Sequence, residues 1–359
     1  MIRAQAPGKL FIAGEYAVVE PGEPAVLVAV DRHITVELES ATGRGSISSD
    51  QYGREPVLWT RDGGVVVLDQ DHRPYDYVLS ALATVDALAA ERGIPVRFCD
   101  LRISSELDDV SGRKFGLGSS AAVTVATVRA LDRFYDLALT PRQLFRLALI
   151  ATVRVAPAAS GGDVAASTFG GWIAYSAPDR ARVRELAAAG VQAALDADWP
   201  GFSVRRVPAP RDLRLLVGWT GQPASTERLV GSVHRSVAGA DRYRRFLGDS
   251  RAAVQDLTAA LDAQDAPAAL DAIRRARAVL RELARHAGLQ IETAQLTALC
   301  DIAEACGAAA KSSGAGGGDC GIVLAPADAD VHGMLTQWEL HDIRHLDLRV
   351  QQAQGAIDG

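Results

Sequence analysis

KFGLGSSAAVT, Lys114 to Thr124, is the stretch on which the reading of this chain turns. A basic residue leads into two glycines and paired hydroxyls, and an unbroken run of helix-forming residues follows. Gly116 and Gly118 carry no Cβ, so the backbone there can bend and come close to a ligand. Ser119, Ser120 and the next amides fall at a helix N-terminus, where unpaired N–H groups and the helix dipole favour an anion. The plainer alternative is a glycine turn with a serine N-cap. A polyphosphate is the natural occupant of such a place, and other segments decide between the two.

In PGKLFIAGEYAVV, Pro7 to Val19, a Pro-Gly turn places Lys9 at the mouth of a strand. Its ammonium there reaches a cleft or sits as a solvated edge charge. Glu15 and Tyr16 point to a ligand or close the turn. In KSSGAGGGDCG, Lys311 to Gly321, four of five positions are glycine (Gly314, Gly316, Gly317, Gly318). That density is costly in chain entropy and is explained most simply where backbone wraps a ligand. A flexible linker is the alternative, and the apolar elements on both sides weigh against it. In ASGGDVAAS, Ala159 to Ser167, Asp163 follows two glycines at the start of a short helix, as an N-cap or as a carboxylate beside a substrate. Ser225 and Thr226, within GWTGQPASTERL (Gly218 to Leu229), would cap a helix whose first turn can receive a phosphate.

At 359 residues and 37.9 kDa the chain exceeds one comfortable core, so two domains are expected. A net charge of −6 argues against a general binder of nucleic acid or membrane surface. An anionic ligand then needs a local basic cluster and backbone donors. No apolar run has the ~18 residues needed to cross a bilayer, and the first segment, broken by Pro7, Gly8, Lys9, Gly14 and Glu15, does not read as a secretory signal. Cys99, Cys300, Cys306 and Cys320 form no CxxC pair, which fits reduced, mostly buried thiols in a cytoplasm.

Hydrophobic spacing predicts strands over 10–19, 25–39, 65–68, 96–103, 168–175, 213–219 and 321–324. It predicts helices over 76–92, from 118 to about 135, and over 141–154, 225–237 and 293–306, with two long ones within 250–286. Residues 176–210 read as a connection between two halves, and 328–350 as a helix and a strand. Two pattern matches fail on context. Gly116 to Ala121 fits the dinucleotide fingerprint GxGxxA, but its strand ends well upstream; Gly316 to Gly321 fits GxGxxG but precedes a strand. His33 and the run Arg274, Arg275, Arg277, Arg281 read as structural, the latter as a solvated face, and Arg154 as a solvated arginine or a cationic partner of the substrate.

PGKLFIAGEYAVV, KFGLGSSAAVTVA and KSSGAGGGDCGI, in this order and spacing, resemble the three motifs of the GHMP kinase superfamily. GEYAVV, SGGDVAASTFGGWIAY and GWTGQPAST are most similar to members whose acceptor is itself a phosphate, 5-phosphomevalonate. There are two departures: Ser312 stands where many relatives have Pro, and Ala156 to Ala159 lacks a lysine or glycine found in some. The resemblance implies an α+β, two-lobed GHMP kinase fold. Its N-terminal lobe, 1–185, would be like ribosomal protein S5 domain 2 and its C-terminal lobe, 186–359, ferredoxin-like, with ATP and acceptor in the cleft between. It implies ATP over Lys114, Gly116, Leu117, Gly118, Ser119, Ser120 and Ala121, with Ser120 a ligand to Mg²⁺, and Lys9 and Asp163 as the catalytic pair. Substrate contacts fall to Lys9, Tyr16, Ser160, Gly161, Gly162, Ser225, Thr226, Ser313, Gly314, Ala315 and Gly316. The implied partners are small molecules, ATP and phosphomevalonate, acting on a cytoplasmic monomer or homodimer without nucleic acid or membrane. Rival readings are a mevalonate or sugar kinase, an ATP-using decarboxylase, and a nucleotide-binding protein without activity; Lys9 and Asp163 weigh against the last.

Overall fold

The computed structural model describes residues 1–51, 55–63, 65–69, 75–109, 111–222, 240–355 and 357. The first sheet is organised by one long strand. β1 (Ile2–Ala13) pairs antiparallel along β2 (Pro24–Ala41), whose first half also pairs β7 (Trp172–Ser176) and whose second half pairs β6 (Phe98–Ser105). β3 (Gly45–Ser49), β4 (Val57–Asp62) and β5 (Val65–Leu68) extend the β6 side, and β8 (Ser203–Arg206) extends the β7 side. Ile34, Val36 and Leu38 are buried, as their alternation predicts, beneath the helices α1 (Asp76–Glu91), α2 (Ser119–Tyr135), α3 (Pro141–Val155) and α4 (Gly162–Phe169). β1 is an edge strand, and side chains cap its outer carbonyls. Arg133 donates to Arg3, Arg129 to Gln5, and Ser167 to Pro7, which closes the edge to a second strand.

The short helices α5 (Arg180–Ala189) and α6 (Val191–Asp196) precede β8. The second sheet, in the order β10 (Ala309–Ser312), β11 (Cys320–Pro326), β9 (Leu213–Trp219), β12 (Arg344–Leu346), is antiparallel throughout. Helices α7 (Ala240–Ala263), α8 (Ala266–Ala287) and α9 (Ala294–Ala305) lie between β9 and β10, and α10 (Val331–Leu340) between β11 and β12. This β-α-β-β-α-β order, with the first and third strands central, is the ferredoxin-like plan expected for the second lobe.

Several expectations need correction. Residues 176–210 are not a plain connection: they hold two helices and β8, which belongs to the first sheet. The division drawn at 185/186 therefore falls inside α5, while the first sheet continues to Arg206. The expected strand 168–175 begins as the end of α4, and only Trp172 onward is extended. β3 and β4 were not foreseen, since short, polar, partly exposed strands show little periodicity. The helix expected over 225–237 lies outside the described residues. On α8, Arg274 and Arg275 pair with exposed acids as expected, whereas Arg277 is buried and bonded to Glu292 (2.6 Å) and Asp301 (2.7 Å).

After β12 the chain returns to the first lobe. Val350 bridges Val30, the Gln351 amide donates to Ala29 (2.9 Å), and Ile357 is buried in the main core.

Candidate active site

Lys9 lies within β1, beyond a register shift between Pro7 and Gly8, so it sits mid-strand and not at a strand mouth as expected. Its amide donates to the Leu117 carbonyl (2.9 Å), tying β1 to the glycine loop. The side chain is only 8% exposed and runs over Gly118, where a Cβ would come within 2.8 Å of Lys9 Cε. Gly118 also holds φ +79°, so glycine is demanded twice. The Lys9 ammonium stands 5.3 Å from the Phe11 ring centroid, and among the described residues no side chain pairs with it. A nearly buried, unpaired cation is costly unless an anion arrives to match it.

The start of α2 supplies the donors for such an anion. Its N-cap is Gly118 in the left-handed region, with no side-chain cap, and α4 likewise starts from left-handed Gly161 without one. The contrast is α3, where Thr140 and Gln143 form a complete capping box behind Pro141. The first amides of α2 are thus left for a ligand, whereas on α4 the Gly162 and Val164 amides donate to Ser160 and Asp163. Ser119 and Ser120 are partly exposed, and among the described residues neither hydroxyl has a protein partner. Lys114 is exposed, bridged to Asp108 at the loop's entrance. Arg32, which sequence reasoning passed over, places its guanidinium 4.7 Å from the ring centroid of the loop's Phe115.

The third segment closes on the first two. A Cβ on Gly116 would lie 2.6 Å from Asp319, and the buried Cys320 thiol donates to the Phe115 carbonyl (3.0 Å). Ser313 is buried, accepts from the Phe11 amide (3.0 Å) and donates to the Phe11 carbonyl (2.9 Å). Its hydroxyl is committed to β1 and is not the substrate donor that was expected. Tyr16 is likewise spent: it is buried, donates to the Ala315 carbonyl (2.5 Å), and holds φ 63°, a strained angle for a bulky residue. Burial, then the Glu15 charge, pushes its phenol pKa up. Gly316 and Gly318 are glycines because a Cβ would strike the Ile291 and Gln222 carbonyls; Gly314 alone of the expected loop contacts faces open space. Glu15 does close the turn, and its partner is a lysine that the sequence did not suggest. Lys311, fully buried, pairs with Glu15 and donates to the Ser312 carbonyl (2.6 Å).

Asp163 occupies the first turn of α4, half-buried, with Oδ1 accepting from the Val164 amide (3.0 Å). Gly162 packs against Phe11, and Ser160 accepts from the Gly162 amide (3.3 Å) while its carbonyl accepts from Tyr175 (2.7 Å). The Tyr175 phenol pKa is raised by burial and then by the Asp163 charge. No ion pair joins Asp163 to Lys9 among the described residues; backbone holds each in place. Four residues on from Asp163, and so on the same helix face, Ser167 donates to the Pro7 carbonyl (2.7 Å), two residues before Lys9. Arg154 instead donates to Thr84 (2.9 Å), and His33 bonds Gln351 (3.0 Å). Ser225 and Thr226 lie outside the described residues.

Among the described residues no three His, Cys, Asp or Glu side chains gather to hold a metal. The Ser120 hydroxyl oxygen fits a hard cation carried in on nucleotide phosphates, which the α2 amides would receive, because Mg²⁺ takes few protein ligands besides substrate phosphate.

A strand lysine over a glycine loop, an uncapped helix behind it, and a second glycine turn strapped across define a phosphate-transfer cleft between two lobes. Residues 76–171 match the family of GHMP kinases N-terminal domains and 257–339 the GHMP kinases C-terminal domain. The chain belongs to the GHMP kinase family. Within it, the chain is similar to the phosphomevalonate kinases: it is 51% identical to that of Streptomyces sp. (strain CL190), over 96% of this chain and 95% of that one. Its fold matches Streptococcus pneumoniae phosphomevalonate kinase in complex with phosphomevalonate and AMPPNP, with a TM-score of 0.86, 28% identity, and 98% and 100% of the two chains covered. The mevalonate kinase of Pyrococcus abyssi is 25% identical, over 91% of this chain and 89% of that one.

Proposed function

We propose that the chain transfers the γ-phosphoryl group of ATP to the phosphate of (R)-5-phosphomevalonate, forming (R)-5-diphosphomevalonate and ADP in the mevalonate route to isoprenoids. A phosphate oxygen of the acceptor attacks the γ-phosphorus, and the bond to the β-phosphate oxygen breaks as ADP leaves. The transition state is loose and anionic, so the protein's work is alignment and neutralisation of charge. The observation that carries this reading is the Lys9 ammonium over Gly118, unpaired among the described residues, beside the uncapped start of α2.

ATP lays its phosphates along Gly116 to Ala121, within reach of the α2 amides. Ser120 would be the side-chain ligand to Mg²⁺ carried on the nucleotide, whose charge would screen the phosphates. Lys9 stabilises charge on the transferring group and the attacking oxygen. A phosphate monoester has a second pKa of about 6, so the acceptor is mostly deprotonated at neutral pH. Asp163 takes the proton that remains on the minority form. Acceptor contacts come from Ser160 to Gly162 and Gly314, and Tyr16, Ser313 and Ala315 hold the loop that presents Gly314. We assign the work to the cytoplasm, in a monomer or homodimer.

A panel of acceptors with detection of ADP tests the substrate. Turnover with phosphomevalonate well above that with mevalonate or sugars is expected; preference for mevalonate overturns the assignment, and release of carbon dioxide would reveal a decarboxylase.

A further inference from the structure

On the outer edge of β1, away from Lys9, a cavity of about 400 Å³ is lined by Arg3, Gln5, Arg129, Arg133 and Gln354. Its volume falls in the range of small-molecule sites, about 300–1,000 Å³. No carboxylate lines it among the described residues. Glu37, opposite Arg3 in the β1–β2 ladder, lies 3.9 Å from Arg102. Arg129 and Arg133 stand one helical turn apart on α2 and share a face. Burial and the neighbouring Arg133 charge lower the Arg129 pKa to about 10, which marks cations crowded without a counter-charge.

The partners these guanidinium groups have are backbone carbonyls: Gln5, Ser167 and Thr168 for Arg129, and Arg3 for Arg133. A carbonyl accepts a hydrogen bond but carries no net charge, and each guanidinium has five N–H donors. Donors and positive charge therefore remain for a ligand. Arginine forks match phosphate oxygens in pairs, and the carboxamide of Gln354 supplies a neutral donor beside them, while that of Gln5 donates to Thr35 (2.9 Å).

We propose that this cavity is a second anion site, which takes a diphosphate group through Arg3, Arg129 and Arg133. It is separate from the catalytic cleft, which lies at the opposite end of α2 from Arg133.

Calorimetry with inorganic pyrophosphate tests it on the full chain, with the cleft filled by AMPPNP, Mg²⁺ and phosphomevalonate. One site is expected, weakened at least tenfold in Arg133→Gln and in Arg3→Gln, both of which keep turnover near the parent value. Repeating the titration with an alkyl diphosphate distinguishes the sources: binding of the ester alone assigns the site to organic diphosphates, and equal binding assigns it to the free ion. Absence of heat from both probes, or heat unchanged in both variants, overturns the site. Because turnover is read separately, that result leaves the kinase reading standing.

Discussion

Lys9 has two jobs that substitution can separate. Its methylenes fill space over Gly118, and among the described residues its ammonium has no side-chain partner. Methionine keeps the first and removes the second. Lys9→Met is expected to lower kcat by about 10²–10³, the loss typical of one oriented charge donor, while AMPPNP affinity measured by calorimetry changes little. Near-parent turnover would remove Lys9 from the chemistry. Asp163→Asn reads out the proton. If Asp163 acts as base, the defect should be largest below pH 6, where the acceptor keeps its proton, and shrink as pH rises. A defect of constant size across pH would assign Asp163 to positioning instead. The buried Lys311–Glu15 pair belongs to stability. Lys311→Met strands a carboxylate that is 3% exposed, at an expected cost of about 3–5 kcal/mol in denaturant unfolding, and adding Glu15→Leu should restore much of it. A single variant as stable as the parent would show that the pair is dispensable.

At the level of elements, β1, α2 and α4 form one frame. Ser167 joins α4 to the strand carrying Lys9, with its hydroxyl on the Pro7 carbonyl. Ser167→Ala leaves that carbonyl unpaired and should cost about 1–3 kcal/mol. Because Asp163 rides on the same helix face, kcat should fall while KM for ATP holds, and Ser167→Thr should recover both. A loss of stability with unchanged kcat would make Ser167 merely structural. The frame also explains what was legible in sequence. α1 and α9 were readable to within a few residues because each has a one-sided apolar stripe, and α2 and α3, buried nearly all round, because each is a long run of helix formers without a breaker. The glycine loop was readable because Gly116 and Gly118 answer a local demand of backbone angle and close approach. Tyr16 and Ser313 misled because their motif positions say they are near the cleft, and only the fold says that their hydroxyls are used up on Ala315 and Phe11. Lys311 pairs with Glu15 across 296 positions of chain, and no local pattern encodes such a partner. β8 was missed for a related reason: a four-residue edge strand gains its identity from β7.

Over the whole molecule, three of the four cysteines are buried. Burial pushes the thiols of Cys99 and Cys300 up to about 12, so at pH 8 only about one in ten thousand is the reactive thiolate. Cys320 is raised for the same reason, and Cys306 is raised while remaining half-buried. Alkylation of the folded protein at pH 8 should therefore add one group, at Cys306, and the rate should climb about tenfold per pH unit as thiolate forms. Mass spectrometry showing several adducts on folded protein would contradict this packing.

The return of residues 349–357 to the first lobe bears on the order in which the molecule can be assembled. Arg349 and Gln351 hydrogen-bond beside β2, and Ile357 enters the core that β1 and β2 begin. The core that β1 and β2 begin thus closes only once residues 349–357 have joined it. Long-range pairing of this kind slows folding and leaves apolar surface exposed in the meantime. A nascent chain halted before Arg349 would carry every catalytic side chain assigned above and still have an unsealed core.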